Sequence, residues 1–413
     1  MSYGVKDILR IEVSPALGCT EPVAIALGAA AAASLLKGKK IETVELWVDP
    51  NIYKNGMAVS IPGTKGLSGL DTAAALGALG GDPSLKMEVL SPVDEVLTQK
   101  VSAFLAAGNV RVNLLSDHKG LYIKTIVKSG VHTAESVIQD LHDNIVELSV
   151  NGKKIKKNPL LAIQEKEGEG TLASLEKWLK ELSLKQLFDL MDELDQEDLA
   201  FLEEGLRINM RLSDYGLKYG PGMGIGMALE RLAIQKIIRR DMVLMAKILT
   251  SAAADARMAG VKLPAMTSAG SGNHGLTATL PIQAVSDFIE TSRETVMKAI
   301  GFSHIITAYI KAHTGRLSAL CGCSIAAGAG AAAAVTFLLG GTVTHIAGAI
   351  INITEDLAGV ICDGAKAGCA LKLSTAAGSA VQAALFSLQG ITVMPTDGII
   401  GFSPEQTMKN IGL

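Results

Sequence analysis

Hydrophobic and polar positions alternate in three different ways along the chain. From Val23 to Leu36 every face is apolar, which predicts a helix buried on all sides. Thr20-Glu21-Pro22 opens it, with Thr20 as N-cap and proline in the first turn. Ser14-Pro15 marks a turn before it. Residues 1–38 therefore predict N-terminal helices packing on the C-terminal domain.

From 39 to 155 the period shortens. Thr43–Val48, Met87–Leu90, Val110–Leu114, Leu121–Val127 and Ile145–Val150 alternate or are β-branched, as strands are. Between them Pro92–Ala106 and Ala134–His142 predict helices, and Asn151-Gly152 a tight turn. Residues 156–215 are dense in charge. Leu172, Leu175, Leu179, Leu182, Leu187, Leu190 and Leu194 recur there at helical spacing, and Ser183 with Gln186 predicts a capping box. They predict an amphipathic helical connector. Residues 216–413 are rich in Ala and Gly and mainly helical. The fold class predicted is α+β: an Ala/Gly-rich helical domain (216–413) housing the active site, and an inserted α/β domain (39–155) with a mostly antiparallel sheet.

Composition narrows the function. The chain has 413 residues, 48% apolar and 19% charged, so it holds enough apolar surface for a sizeable core and is not a disordered chain. A net charge of −3 leaves no basic face for nucleic acid. No basic leader precedes the first apolar run, which places the protein in the cytoplasm. Leu317 to Thr354 carries no Asp, Glu, Lys or Arg. About 18 such residues can span a membrane, but this stretch is Ala/Gly-rich and lacks flanking basic or aromatic belts. It predicts a pair of core helices split near Gly341, and no membrane is expected.

Candidate chemistry lies in four places. Cys321, Cys323, Cys362 and Cys369 crowd the last quarter. Their spacing matches neither a zinc ribbon nor a ferredoxin run, so a cluster, a zinc site and buried structural cysteines all stay open. Cys19 precedes the buried helix, where a helix N-terminus would lower the thiol below its usual ~8.5; it could equally fill a small hole. The loop Thr267–Gly275 (TSAGSGNHG) offers backbone N–H groups to an anion such as a carboxylate, or simply connects two helices. Asp49–Met57 puts Asn51, Lys54 and Asn55 where they could clamp a carboxylate or amine, or form a polar turn. His118 and His142 read as exposed, and His345 as a satisfied core imidazole.

Together SPALGCTEP, NIYKNG, IPGT, SAGSGNHG, CGCSIAAG and CDGAKAGC, in this order along the whole chain, resemble the L-cysteine desulfidase family. These are serine dehydratase alpha-chain-like proteins of the UPF0597 type. The C-terminal half is more distantly similar to the α domain of bacterial iron–sulfur L-serine dehydratases. The resemblance implies a [4Fe-4S] cluster held by three cysteines. The context GCSIAAG favours Cys323 over Cys321, GVICD favours Cys362, and Cys369 is its partner at a shorter spacing than in the serine enzymes. It further implies β-elimination of L-cysteine, with Cys19 in acid–base chemistry and Lys54, Asn55, Ser271, Asn273 and His274 holding the substrate. An open iron would act as Lewis acid. The alternatives are L-serine dehydration, and a non-catalytic metal-binding or redox-sensing protein using Cys321 and Cys323 as a dithiol. The expected partners are the small amino-acid substrate and, as an option, a second copy of the chain.

Overall fold

The structure, a computed structural model, describes residues 3–64, 66–162 and 172–412. The first part holds α1 (Val5–Glu12), β1 (Pro15–Leu17), α2 (Thr20–Ser34), β2 (Thr43–Val48), α3 (Pro50–Gly56), α4 (Leu70–Gly80) and α5 (Glu95–Ala106). Strands β3 (Val110–Leu114), β4 (Tyr122–Ser129), β5 (His132–Gln139), β6 (Ile145–Val150) and β7 (Lys153–Lys154) follow. The connector forms α6 (Leu172–Leu179), α7 (Leu184–Asp189) and α8 (Gln196–Tyr219). Then come α9 (Ile225–Ile234), α10 (Met242–Met258), β8 (Pro264–Met266), α11 (Gly272–Ser286), α12 (Arg293–Thr314), α13 (Gly322–Leu338), α14 (Val343–Leu357), α15 (Cys369–Leu388) and α16 (Pro404–Asn410). The class is α+β, as the sequence predicts.

Among the described residues, the larger sheet has the order β3-β2-β4-β5-β6-β7. Only β2 and β3 run parallel; the other pairs are antiparallel. The Asn151-Gly152 turn joins β6 to β7. Helix α2 is buried on all sides and belongs to the same core as the sheet and α4, whereas α1 joins the helical core of the C-terminal half. The two N-terminal helices thus part company, because α2 offers a narrow Ala surface that fits the sheet. At its crossing with α4, a Cβ on Gly77 would stand 2.1 Å from the Ala26 carbonyl oxygen, so only glycine lets the backbones meet.

Two predicted elements differ. Ala134–His142 is not helical: β5 covers most of it, with Ala134, Ser136 and Ile138 buried in alternation. Small inward residues disguise that period of two. Met87–Leu90 is not a strand but the end of a 3-10 turn, Pro83–Glu88, capped by the Asp82 side chain and broken by a left-handed Lys86. The helical half packs around α13, which is buried along nearly its whole length. The uncharged stretch breaks at Gly340–Thr342 into α13 and α14. His345 is half-buried at the start of α14, where Thr342 caps the helix and bonds its Nδ1. Ser183 and Gln186 form the predicted capping box, while Leu175, Leu179, Leu187, Leu190 and Leu194 of the connector enter the helical core. Among the described residues, α15 alone is long and apolar enough to cross a membrane, and over half of it is buried inside the protein.

Candidate active site

A two-stranded strap assembles the site. β1 pairs antiparallel with β8, Pro15 opposite Met266 and Leu17 opposite Pro264. Thr267 N–H donates to the Ser14 carbonyl at 2.8 Å. The strap holds the Cys19 segment beside the Thr267–Gly275 loop, although about 250 residues separate them. Gly18 turns the chain at φ +84°, against the Pro62 ring, and Arg257 donates from Nη2 to its carbonyl at 2.7 Å.

Cys19, rather than Thr20, is the N-cap of α2, and its side chain makes no cap bond. Its thiol donates instead to Glu21 Oε2 at 3.0 Å, to which the Thr20 hydroxyl also donates at 3.2 Å. Asn55 Nδ2 donates to Glu21 Oε1 at 2.9 Å. Burial pushes the Cys19 thiol well above its ordinary range, and the Glu21 charge adds to this, with Arg257 opposing. The expected lowering by the helix terminus is overturned: in the buried site, desolvation and a neighbouring carboxylate outweigh it. Burial also raises Glu21, but His142, the Cys19 thiol and the Asn55 amide together bring it below the usual carboxylate value. The resting pair is a neutral thiol donating to a carboxylate.

The Thr267–Gly275 loop closes on itself through reciprocal Ser268–Ser271 backbone bonds of 3.1 Å, with Gly270 at φ +75°. Ser271 becomes the N-cap of α11. Asn273 Oδ1 accepts from Arg257 Nη1 at 2.9 Å. His274 Nδ1 lies 3.2 Å from the Ser268 carbonyl, which can only accept, so the proton sits on Nδ1 and Nε2 is bare. Burial, and then Lys311, hold this imidazole neutral, down to about 3. A Cβ on residue 322 would stand 2.5 Å from Nε2, so Gly322 is what lets His274 face the turn between Cys321 and Cys323.

The cysteine segments are paired as well. Cys321 N–H donates to the Val360 carbonyl at 2.9 Å and Cys362 N–H to the Ala319 carbonyl at 2.7 Å. Lys54 Nζ donates to the Cys362 carbonyl at 3.1 Å. Cys369 opens α15, and its side chain packs with Cys19, Val59 and Met258, which brings the two predicted centres together. Cys323 is raised by its contact with Cys321, by burial, and by the nearby Cys369 and Cys362. All five cysteines are free; Cys321 is buried, and Cys323, Cys362 and Cys369 are half-buried. Among the described residues, no three His, Cys, Asp or Glu side chains are drawn close enough to hold one metal ion. Soft thiols are nonetheless the donor type of iron–sulfur clusters, and Cys323 lies within the field of Cys362 and Cys369.

Lys54, Asn55, Asn273 and His274 thus all lie at the site, where they hold Cys362, Glu21, Arg257 and the loop, while His274 Nε2 and Asn55 Oδ1 have no hydrogen-bond partner among the described residues. Glu21, Arg257, Lys311 and His142 escaped the sequence reading. Lys311 was visible as a charge between Ile310 and Ala312, whereas His142 lies among Asp140, Asp143 and Asn144 and gave no such signal. His142 is buried rather than exposed because the turn after β5 tucks it against Glu21. His118 is half-buried and stacks on Tyr122, centroids 4.7 Å apart.

The family described as serine dehydratase alpha chain matches residues 95–413, which include Cys321, Cys323, Cys362 and Cys369. A UPF0597 protein of Desulfatibacillum aliphaticivorans is 62% identical over 413 residues, covering 100% of this chain and 94% of its own. A UPF0597 protein of Clostridioides difficile is 41% identical over 407 residues, covering 98% and 94%. These relatives extend the likeness to the Cys19–Glu21 segment. With soft thiols gathered beside a thiol–carboxylate pair and this breadth of likeness, the chain belongs to the serine dehydratase alpha chain family, in its UPF0597 group.

Proposed function

We propose that the chain is an L-cysteine desulfidase, eliminating sulfide from L-cysteine to leave aminoacrylate, which water converts to pyruvate and ammonia. The observation that carries this is the packing of Cys369 against the small buried cluster of Cys19, Val59 and Met258. It sets a proton-handling pair next to a set of thiols able to hold a cluster.

Cys323, Cys362 and Cys369 are the three ligands, and the [4Fe-4S] cluster, when bound, supplies an open iron that acts as a Lewis acid on the departing group. Cys19 takes the proton from the substrate Cα. Because its resting thiol is protonated, Glu21, which rests as the anion 3.0 Å away, must first accept the thiol proton. The Cα–H electron pair forms the Cα=Cβ bond, and the Cβ–S pair leaves with sulfur. Asn55 and Thr20 aim the Glu21 carboxylate. Ser271, Asn273 and His274 hold the substrate at the loop and the start of α11. Lys54 fixes the Cys362 backbone. Soft sulfur on soft iron favours cysteine over serine. A labile cluster needs a reducing compartment, the cytoplasm.

The family description favours a second reading, L-serine dehydration by the same residues. Anaerobically reconstituted protein, assayed for pyruvate from L-cysteine and L-serine in parallel and for sulfide from the first, decides between them. Sulfide and pyruvate from cysteine are expected. Pyruvate from serine alone would transfer the proposal to dehydration.

A further inference from the structure

A second buried charge centre lies on the other side of the Thr267–Gly275 loop. Arg316, just after α12, reaches into a cavity of about 1010 Å³ whose wall includes Ser14, Thr20, His142, Thr267 and Gly270. Its side chain keeps 10% of its surface exposed. Nη1 pairs with the buried Glu12 at 2.8 Å. Nε and Nη2 are buried and have no hydrogen-bond partner among the described residues. A buried guanidinium with two idle donors is costly unless something fills them.

A Cβ on Gly270 would stand 2.9 Å from Nη1, and the φ of +75° also demands glycine, so only glycine lets the loop pack against the guanidinium. Thr20 and His142 in the cavity wall both act on Glu21, Thr20 by donating to the carboxylate, so the cavity borders the Cys19–Glu21 pair. The field of Arg316 reaches both His142 and His274.

We infer that Arg316 is the carboxylate-binding residue of the site, taking the α-carboxylate of a small amino acid on Nε and Nη2 while the Glu12 carboxylate beside Nη1 offsets part of its charge. A fork of two parallel N–H donors matches a carboxylate bidentately. The inference rests on the proposed lyase function for its substrate class, but carboxylate binding is measurable without turnover. The probes are L-alanine, which has the carboxylate and no leaving group, and L-alaninamide, which lacks the charge. Calorimetric titration of the full chain should show L-alanine binding at least tenfold tighter than the amide. Arg316→Gln should reduce that ratio to about one, and Arg316→Lys should keep part of it. Because Arg316→Gln leaves Glu12 buried without a partner, Glu12→Gln/Arg316→Gln, which removes both charges, should show the same loss. Equal binding of the two ligands by the wild type, or a ratio preserved in either glutamine variant, overturns the inference. A carboxylate preference that depends on Arg316, in a protein releasing no sulfide or pyruvate, would sink the lyase proposal and leave this one standing.

Discussion

The Cys19 thiol donates to the Glu21 carboxylate at 3.0 Å, inside a site where burial disfavours a thiolate. The nucleophilic or basic form of Cys19 therefore exists only while Glu21 holds its proton, and the two residues act as one unit.

Glu21→Gln should keep the bound iron and lower kcat by about 10²-fold or more, the range of a lost acid–base partner. Cys19→Ala should do the same, and the double variant should be little worse than either single one. Iron content and sulfide release measured side by side test this; loss of iron in Cys19→Ala would make it a ligand.

Cys323→Ser, Cys362→Ser and Cys369→Ser should each lose iron and acid-labile sulfide, and Cys321→Ser should retain them. Exposure to air should abolish turnover in the wild type. Full iron in any of the three serine variants contradicts the ligand set.

His304 accepts from or donates to the Ser268 hydroxyl at 2.9 Å, in full burial. Burial lowers its pKa from 6.5 to about 4. Between those values the unfolded chain binds a proton that the folded one refuses. Stability from this group is therefore complete above pH 6.5 and falls as pH drops toward 4, by on the order of 3 kcal/mol. Urea unfolding at pH 7.5 and 5 should show the loss, and His304→Gln should flatten it. An unchanged slope in that variant rules the histidine out as the cause.

Gly77→Ala forces a methyl to within 2.1 Å of the Ala26 carbonyl oxygen and should cost about 1–3 kcal/mol. Gly359→Ala meets nothing within 4 Å and should stay within about 0.5 kcal/mol. Denaturation midpoints of the two variants check the α2–α4 crossing directly.

Local pattern carried much of the architecture. The all-apolar runs of α2 and α13, the alternating strands β2, β3, β4 and β6, and the break at Gly340–Thr342 follow from side-chain periodicity, which is a property of neighbours in sequence. The cysteine segments and the glycine loop were legible as motifs for the same reason. Strand β5 was not, because its inward Ala134 and Ser136 hide the alternation that pairing with β4 and β6 makes decisive. The state of Cys19 belonged to the tertiary structure alone. Sequence put it at a helix start and suggested a lowered pKa; burial and Glu21 reversed the sign. Arg257 meets Gly18 across 239 residues, and Arg316 meets Glu12 across the strap. Ionisation and orientation depend on desolvation and on partners brought from afar, so only the fold could decide them.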